Sequence, residues 1–572
     1  MTVQNAEIAD LFEELADLLE LEGANPFRVR AYRNAARFIR GHPRSLAELV
    51  DERADLSGLP GIGTDLAGKI ETIVRTGRLP MLEQLRRRVP APLVAMTRIE
   101  GLGPKRAQAL YRALRIRSLE DLARAARSGR IRELPGFGAR TEQLIAERAE
   151  RAVTVERRLS IADAEPIARS LVDYLRGLAG VKQVEVAGSF RRRRETVGDL
   201  DVLVTAARNA KLMDRVVRHE DVAEVQAQGA TRATLRLRNG MQVDVRVVPV
   251  ASFGAALHYF TGSRAHNIAV RRLAQARGLK LNEYGVFRGE ERTGGRTERE
   301  VFAAVGLPVI PPELREDRGE IEAARRGRLP KLVELADLRG DLHCHSRATD
   351  GRDTIEAMAR AAAALGYEYL SVNDHSRHVT VAHGLDRRRL LGQVRAIDRL
   401  NARLDGIVVL KSVEVDILED GRLDLPDGVL AELDFTVCAV HYGFGYGRVR
   451  QTERILRAMD NPRFSILAHP TGRLINAREP LDIDLERVLE GARERGRIME
   501  VNAQPDRLDL DDRACRLANE MGVRVAISTD AHRVADLALM RFGVDQARRG
   551  WLEAGDVVNT RPLAQLRRLL RP

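Results

Sequence analysis

The sequence predicts a multidomain chain with an all-α region at the N-terminus, an α+β middle and an α/β barrel at the C-terminus. Three observations predict it. Apolar residues recur at helical spacing through the first 150 or so positions, as in Ile8, Leu11, Phe12, Leu15, Leu18 and Leu19, and again in Leu66, Ile70 and Ile73. From Val184 the pattern turns to short β-branched runs: Val184 and Val186, Val202 to Val204, Ala233 to Leu237 and Val243 to Val247. After Gly340, about seven short apolar runs alternate with helical segments, the signature of a parallel barrel.

Composition narrows the class. The chain has 572 residues, 44% of them hydrophobic, enough for several cores. No apolar run reaches the ~18 residues that a membrane helix needs. The acidic, amphipathic start, Met1 to Leu21, argues against a cleaved signal peptide. Three cysteines (Cys344, Cys438 and Cys515) make no disulfide framework and suit the reducing cytoplasm. The net charge is +12, and it is uneven. Residues 341–572 hold 35 Lys+Arg against 36 Asp+Glu, the first 340 hold 59 against 46, and eight of the twelve histidines follow residue 340. One end is suited to polyanions, the other to metals.

In the helical region, Leu59-Pro60-Gly61-Ile62-Gly63, Ile99-Glu100-Gly101-Leu102-Gly103 and Leu134-Pro135-Gly136-Phe137-Gly138 share one pattern, each before a helix. Glycines allow a tight turn and close backbone approach, and the next helix points free N–H groups at a phosphate. The three copies resemble helix-hairpin-helix DNA-binding motifs, with Gly61, Gly63, Gly101, Gly103, Gly136 and Gly138 at the contacts. Residues 155–178 read as one further helix.

In the middle, Gly188-Ser189 precedes Gly198-Asp199-Leu200-Asp201 by ten residues, and Asp244 lies inside a later apolar alternation. On a strand, Asp199 and Asp201 face one way, and Asp244 can face them across the sheet. Three such carboxylates can hold two Mg²⁺ or Mn²⁺ ions, which activate an attacking hydroxyl and steady a leaving phosphate. Gly188 and Ser189 would bind a triphosphate, with Arg192 adding charge. The constellation resembles the nucleotidyltransferase superfamily.

Tyr259-Phe260-Thr261-Gly262-Ser263 resembles the nucleotide pocket of family X DNA polymerases, and Leu281-Asn282-Glu283-Tyr284-Gly285 matches that family's thumb. The resemblance implies that Tyr259 and Phe260, with Gly262, line the sugar site, that Asn267 contacts the incoming nucleotide and that Arg271 contacts the template minor groove. It also aligns Lys69 with the family's deoxyribose-phosphate lyase lysine; a lysine that merely contacts phosphate is the other reading. Phe27, Arg28 and Asp65 depart from the best-known lyase pattern, whereas Tyr32 keeps it. Val309 to Asp317, with Pro311 and Pro312, reads as a linker.

At the C-terminal end, His343 and His345 come from a His-x-His at a strand end, followed by Asp350, His375, Glu414, His441, His469, Asp530 and His532, each closing or following an apolar run. Such positions gather on one rim of a parallel barrel. Six His, two Asp and one Glu suit two or three Mn²⁺ or Zn²⁺ ions. This resembles the polymerase and histidinol phosphatase (PHP) domain, and all nine ligand positions are filled. Asn373 stands where many relatives have Thr, and Tyr442 where Ser is common. His378 and His383 read as rim residues, and Cys344 as core.

The expected organisation is a lyase-like helical domain (1–90), a fingers-like helical domain (91–150), a palm (151–250), a nucleotide-selection and thumb domain (251–317), a linker (318–338) and a PHP phosphoesterase domain in a distorted (β/α)7 barrel (339–572). The whole resembles a bacterial or archaeal-type family X DNA polymerase with a PHP nuclease. The resemblance implies a cytoplasmic monomer, without membrane partners, that adds dNTPs at gaps or nicks in DNA for base excision repair. It also implies a Mn²⁺-dependent 3′-5′ exonuclease, with cleavage at abasic sites as a further activity. A DNA-end scaffold with nuclease activity only is disfavoured by the three carboxylates. A small-molecule nucleotidyltransferase joined to a phosphatase is disfavoured by the hairpins and by Tyr259 to Ser263.

Overall fold

Ile8, Phe12, Leu15 and Leu19 share one face of the helix Asn5–Glu22, and all four are buried. That is the predicted spacing put to use. The computed structural model describes residues 5–41, 46–76, 79–97, 99, 102–156, 158–207 and 212–570. The chain divides into two compact units, Met1–Glu156 and Arg157–Pro572.

The first unit is helical from Asn5–Glu22 to Ala139–Glu156, around one apolar core that runs from Ile8 to Ala149. The three glycine motifs fold alike. Ile62, Leu102 and Phe137, the apolar residues between the glycines, are buried, and each donates its N–H to the residue three back: Leu59 (3.0 Å), Ile99 (2.9 Å) and Leu134 (3.1 Å). The following helix then starts on the second glycine, whose carbonyl accepts from Ala67, Ala107 or Glu142. Gly61 and Gly136 take φ of +78° and +85°, a region that only glycine enters cheaply. Gly101 lies outside the described residues.

The reading of 155–178 as one helix is corrected. Ala139–Glu156 and Ile161–Arg176 are separate helices. Leu159 and Ser160 pair antiparallel with Val197 and Thr196, and the Ser160 hydroxyl caps the second helix at Asp163 N (3.1 Å). A side chain that competes for backbone N–H groups starts a helix rather than continuing one.

Within the second unit, a five-stranded sheet runs in the order Val181–Val186, Asp199–Ala206, Gln242–Val247, Arg232–Leu237, Val222–Gln228. The edge strand Val222–Gln228 is largely exposed and has no alternation to betray it. Two helices follow, Phe253–Thr261 and Arg264–Gln275, then a three-stranded ribbon through Lys280–Asn282, Gly285–Arg288 and Glu291–Gly294.

The predicted linkers are packed rather than loose. Ile310, Leu314 and Arg315 are buried, and Arg315 donates to the Ile310 carbonyl (2.8 Å) and pairs with Glu298 at 2.5 Å. In 318–338, Glu320 is fully buried against His266 (2.6 Å), and Leu332 and Val333 join apolar cores. Pro311 and Pro312 mark a 3₁₀ turn inside this packing.

Beyond residue 339, two parallel sheets form. One holds Gly340–Asp341, Tyr369–Val372 and Val408–Lys411; the other holds Glu414–Asp416, Val437–Ala439, Ile466–Leu467, Ile498–Asn502 and Val525–Ser528. Parallel bridges at His375–Glu414 and Cys344–Ala531 join them, and the Asn559 amide donates to Gly340 and Ile527 across the second junction. Cys344, Cys438 and Cys515 are free and buried.

This part shares its interior with the palm sheet. Leu508 and Phe542 belong to the same apolar cluster as Val202, Val204 and Val243. Arg193 reaches Asp545 and Glu165, each at 2.7 Å, and Arg473 reaches Glu195 (2.7 Å). Among the described residues, no helix is long and apolar enough to cross a membrane.

Candidate active sites

Asp199–Ala206 and Gln242–Val247 run parallel and side by side, and the register sets Asp201 opposite Asp244. Asp199, two residues back, shares their face. The sheet thus brings the three predicted carboxylates together. Their states differ. Burial, then the charges of Asp199 and Asp244, push the Asp201 carboxyl up to about 7. Asp244 is held below its ordinary value, because hydrogen bonds from Thr234 (2.7 Å), Arg232 (2.9 Å) and Gln242 (3.3 Å) outweigh its burial. An unneutralised acidic pair beside a stabilised third carboxylate is a donor set that fits hard divalent cations.

Gly188 opens the short helix Gly188–Arg191 at φ +66°, and a Cβ there would lie 2.9 Å from the Asp201 carboxylate. The neighbouring Ser189 hydroxyl is buried without a partner, an oddity expected where a polar ligand docks. Arg192 is less free than expected: it donates to Glu316 (2.9 Å) and the Thr261 carbonyl (2.8 Å), which ties the loop to the next helix. Tyr259 and Phe260 pack edge to face, with Arg271 over Tyr259 and Arg246 over Phe260. Asn267 clamps the turn between its two helices by donating to Tyr259 O (2.6 Å) and Gly262 O (3.2 Å).

The nine predicted ligands of the C-terminal end converge from separate strand ends. His345, Asp350, His375 and His532 form one group, His343, His345 and Asp530 a second, and His375, Glu414 and His441 a third. His469 Nε2 lies 2.9 Å from Glu414, so Glu414 sits among five imidazoles. The buried Nδ1 of His345 has no hydrogen-bond partner, which again fits cation binding. Neighbouring carboxylates raise His441 and His532 to about 9 against the effect of burial.

Two functional residues escaped the sequence reading. Glu500 holds His343 Nδ1 (2.7 Å) and the His469 N–H (2.7 Å), and Asp416 holds His441 Nδ1 (3.0 Å). Each orients an imidazole from behind. The available signal was a carboxylate inside a fully buried strand, as in Met499-Glu500-Val501. His378 stands half exposed on the rim, edge-on to Tyr442, and Cys344 is core.

In the first unit, Lys69 pairs with Asp65 one turn back and lies 5.8 Å from the Tyr32 ring centroid, while Phe27 is exposed. A Cβ on Gly61, Gly63, Gly103, Gly136 or Gly138 would meet nothing within 4 Å, so these turns present open backbone.

Four family models match in chain order: a helix-hairpin-helix domain (3–79), a SAM-like helix-hairpin-helix tandem (94–151), a DNA polymerase beta palm (160–252) and a DNA polymerase beta thumb (256–316). The DNA polymerase/3′-5′ exonuclease PolX of Bacillus subtilis is 38% identical over 570 residues, which cover 99% of both chains. The chain belongs to this PolX family of family X DNA polymerases. It is accordingly a DNA polymerase of the kind that carries a 3′-5′ exonuclease. Rat DNA polymerase lambda is 28% identical over 345 residues, 55% of this chain and 57% of that one. For the C-terminal part, a probable phosphatase of Caldanaerobacter subterraneus is 31% identical over 208 residues, 34% of this chain and 77% of that one. The PolX relationship and the His/Asp/Glu clusters imply divalent metals at both centres.

Proposed function

We propose that this enzyme fills short gaps in DNA during base excision repair and trims 3′ ends with its C-terminal centre. The observation that carries the first half is the register that sets Asp201 opposite Asp244, beside the unpartnered Ser189 hydroxyl. Asp199, Asp201 and Asp244 would hold two Mg²⁺ or Mn²⁺ ions. When bound, such ions lower the pKa of the primer hydroxyl and neutralise the triphosphate. Asp244 takes part in accepting the hydroxyl proton. Gly188 and Ser189 offer N–H and O–H donors to the triphosphate, with Arg192 adding positive charge nearby. Tyr259, Phe260 and Gly262 shape the sugar site. Asn267, which fixes that turn, and Arg271 complete the nucleotide and template contacts. The hairpin motifs, with open backbone at Gly61, Gly63, Gly103, Gly136 and Gly138 and with Gly101 at the matching sequence position, grip DNA phosphates irrespective of sequence.

The second half rests on the convergence of eight of the nine expected His, Asp and Glu ligands in three clusters, with His469 beside Glu414. We read the two parallel sheets as a distorted (β/α)7 PHP barrel holding two or three Mn²⁺ or Zn²⁺ ions, with Mn²⁺ supporting exonuclease action and cleavage at abasic sites. Lys69 is proposed as the lyase nucleophile, its amine attacking the abasic sugar aldehyde. The working boundaries are 1–90, 91–150, 151–250, 251–317, 318–338 and 339–572, in a cytoplasmic monomer whose buried thiols suit a reducing compartment.

The test is one gapped duplex incubated with Mn²⁺, with and without dNTPs. The expected result is products lengthened to the gap's end with dNTPs and shortened from the 3′ end without them. Absence of lengthening would remove the polymerase half; absence of shortening would remove the nuclease half. Borohydride trapping on a 5′-deoxyribose-phosphate end addresses Lys69, and equal trapping by Lys69→Ala would exclude it.

A further inference from the structure

A cleft of about 640 Å³ opens where the start of the palm meets the rim of the C-terminal centre, within the second unit. Its volume falls in the ~300–1,000 Å³ range of small-ligand sites. Leu159 and Ala162 form the palm wall, and Ile475, Pro505 and Leu539 the opposite one. His532, a member of the His345/Asp350/His375 group, closes one end.

The walls are built onto the metal ligands and onto each other. Arg352 N donates to the His532 carbonyl (2.6 Å), and the Gln504 amide donates to the Thr529 and Asp530 carbonyls (2.8 Å each). Asn476 reaches across to the Arg158 carbonyl (3.1 Å), and Ile475 and Leu539 pack into the palm's own core. The cleft therefore keeps a fixed position relative to the His/Asp/Glu cluster.

Its charge decides what it takes. Arg158, Arg352 and Arg533 are balanced by Asp163, Asp506 and Asp536. Arg533 is paired with Asp536 (2.7 Å), and Arg158 is committed to Thr196 (2.9 Å). A charge-balanced cleft that sets Leu159, Ala162, Ile475, Pro505 and Leu539 beside Ser160, Asn476 and Gln504 does not attract a bare phosphate; it accepts a flat, amphipathic group attached to one. The phosphate's place is next door, at the cluster.

We propose that this cleft is the nucleoside subsite of the exonuclease, holding the base and sugar of the 3′-terminal nucleotide while its phosphodiester lies at the His/Asp/Glu cluster. The proposal rests on the nuclease reading above. Water adds to phosphorus, the bond from phosphorus to the penultimate 3′-oxygen breaks, and that oxygen leaves with a proton from the water. The 5′-mononucleotide is left in the cleft. The palm thereby completes the substrate site of the nuclease. Arg352, exposed at the mouth beside His532, is placed to meet the phosphate's open side.

The test compares two single strands in the full-length enzyme with Mn²⁺: one ends in an ordinary nucleotide, the other in a base-free tetrahydrofuran residue. Wild type is expected to remove the ordinary end at least tenfold faster. Ala162→Trp, which fills the cleft from the palm side, should bring the ordinary end down to the base-free rate and change the base-free rate less than threefold. Ala162→Leu should fall between. dAMP binding, followed by calorimetry with Mn²⁺, should weaken in the same order. Equal rates for both ends in wild type, or equal effects of Ala162→Trp on both substrates, would overturn the subsite. Loss of gap filling by Ala162→Trp would mean a disturbed palm, and the Leu variant and dAMP titration then decide. No degradation of either strand by wild type would instead sink the nuclease reading itself.

Discussion

Asp201 is held between two opposed demands. Burial and the neighbouring Asp199 and Asp244 penalise its negative charge, yet that charge is what draws a cation into the palm. Its folded value of about 7 stands above the ordinary 3.8 of an aspartate. Between those values the folded chain holds more protons than the unfolded chain, so stability without metal falls as pH rises through that window. The cost above pH 7 is about 4 kcal/mol, at about 1.4 kcal/mol per unit. Asp201→Asn should therefore abolish nucleotide addition, spare the exonuclease, and raise the melting temperature of the metal-free protein at pH 8 but not at pH 3.5. A variant that still extended a gapped primer would end the assignment. At the second centre, Glu500 works through His343 and His469. Glu500→Gln keeps the shape but weakens the hold on the imidazole, so Mn²⁺ affinity and exonuclease rate should drop roughly 10–100-fold, as for other residues that orient metal ligands. Excess Mn²⁺ should restore part of the rate, which it would not do if Glu500 only supported the fold.

At the scale of elements, the three glycine motifs repeat one device: a buried apolar residue before the second glycine, a hydrogen bond from it to the residue three back, and a helix that starts on that glycine. Gly138 has no positive φ and open space at its Cβ, so Gly138→Glu should leave stability almost unchanged. The new carboxylate would meet the phosphate that the turn is proposed to bind. DNA affinity should fall at low salt, and the slope of log K against log salt should lessen by about 1 for one lost phosphate contact. Unchanged affinity and slope would remove this hairpin from the interface. These turns were readable from sequence because glycine spacing encodes them locally, and so were Asp199 and Asp201, two apart on one strand. The pairing of Asp201 with Asp244 needed the sheet register, which a strand pattern suggests but does not fix. Glu500 was hidden because the partners that give it a role, His343 and His469, lie 157 and 31 residues away in sequence. The packing of the segments around Pro311 and Glu320 was hidden for a related reason. Their prolines and charges look like loop composition, and only Arg315 against Glu298 and His266 against Glu320 show them to be interior.

At the scale of the whole molecule, Arg157–Pro572 packs as one compact unit. Arg549, on the helix Met540–Arg549, is nearly fully buried; it donates to the Arg192 carbonyl (2.7 Å) and pairs with Asp512 (2.6 Å) and Glu316 (3.2 Å). It thus fastens the loop beside Ser189, the end of the thumb and the C-terminal sheets at one point. Breaking such a buried network costs about 3–5 kcal/mol, because the carboxylates left behind stay desolvated. A body held this way has no cheap route to partial unfolding between its two centres. On heating, gap filling and exonuclease action should be lost at the same temperature, and Arg549→Ala should lower that temperature for both by the same several degrees. If the nuclease outlived the polymerase, or if Arg549→Ala moved only one midpoint, the two centres would be thermodynamically separate. The apolar cluster that joins Val202 and Val243 to Leu508 and Phe542 argues that they are not. A shared core makes the distance between the two candidate centres a property of the fold.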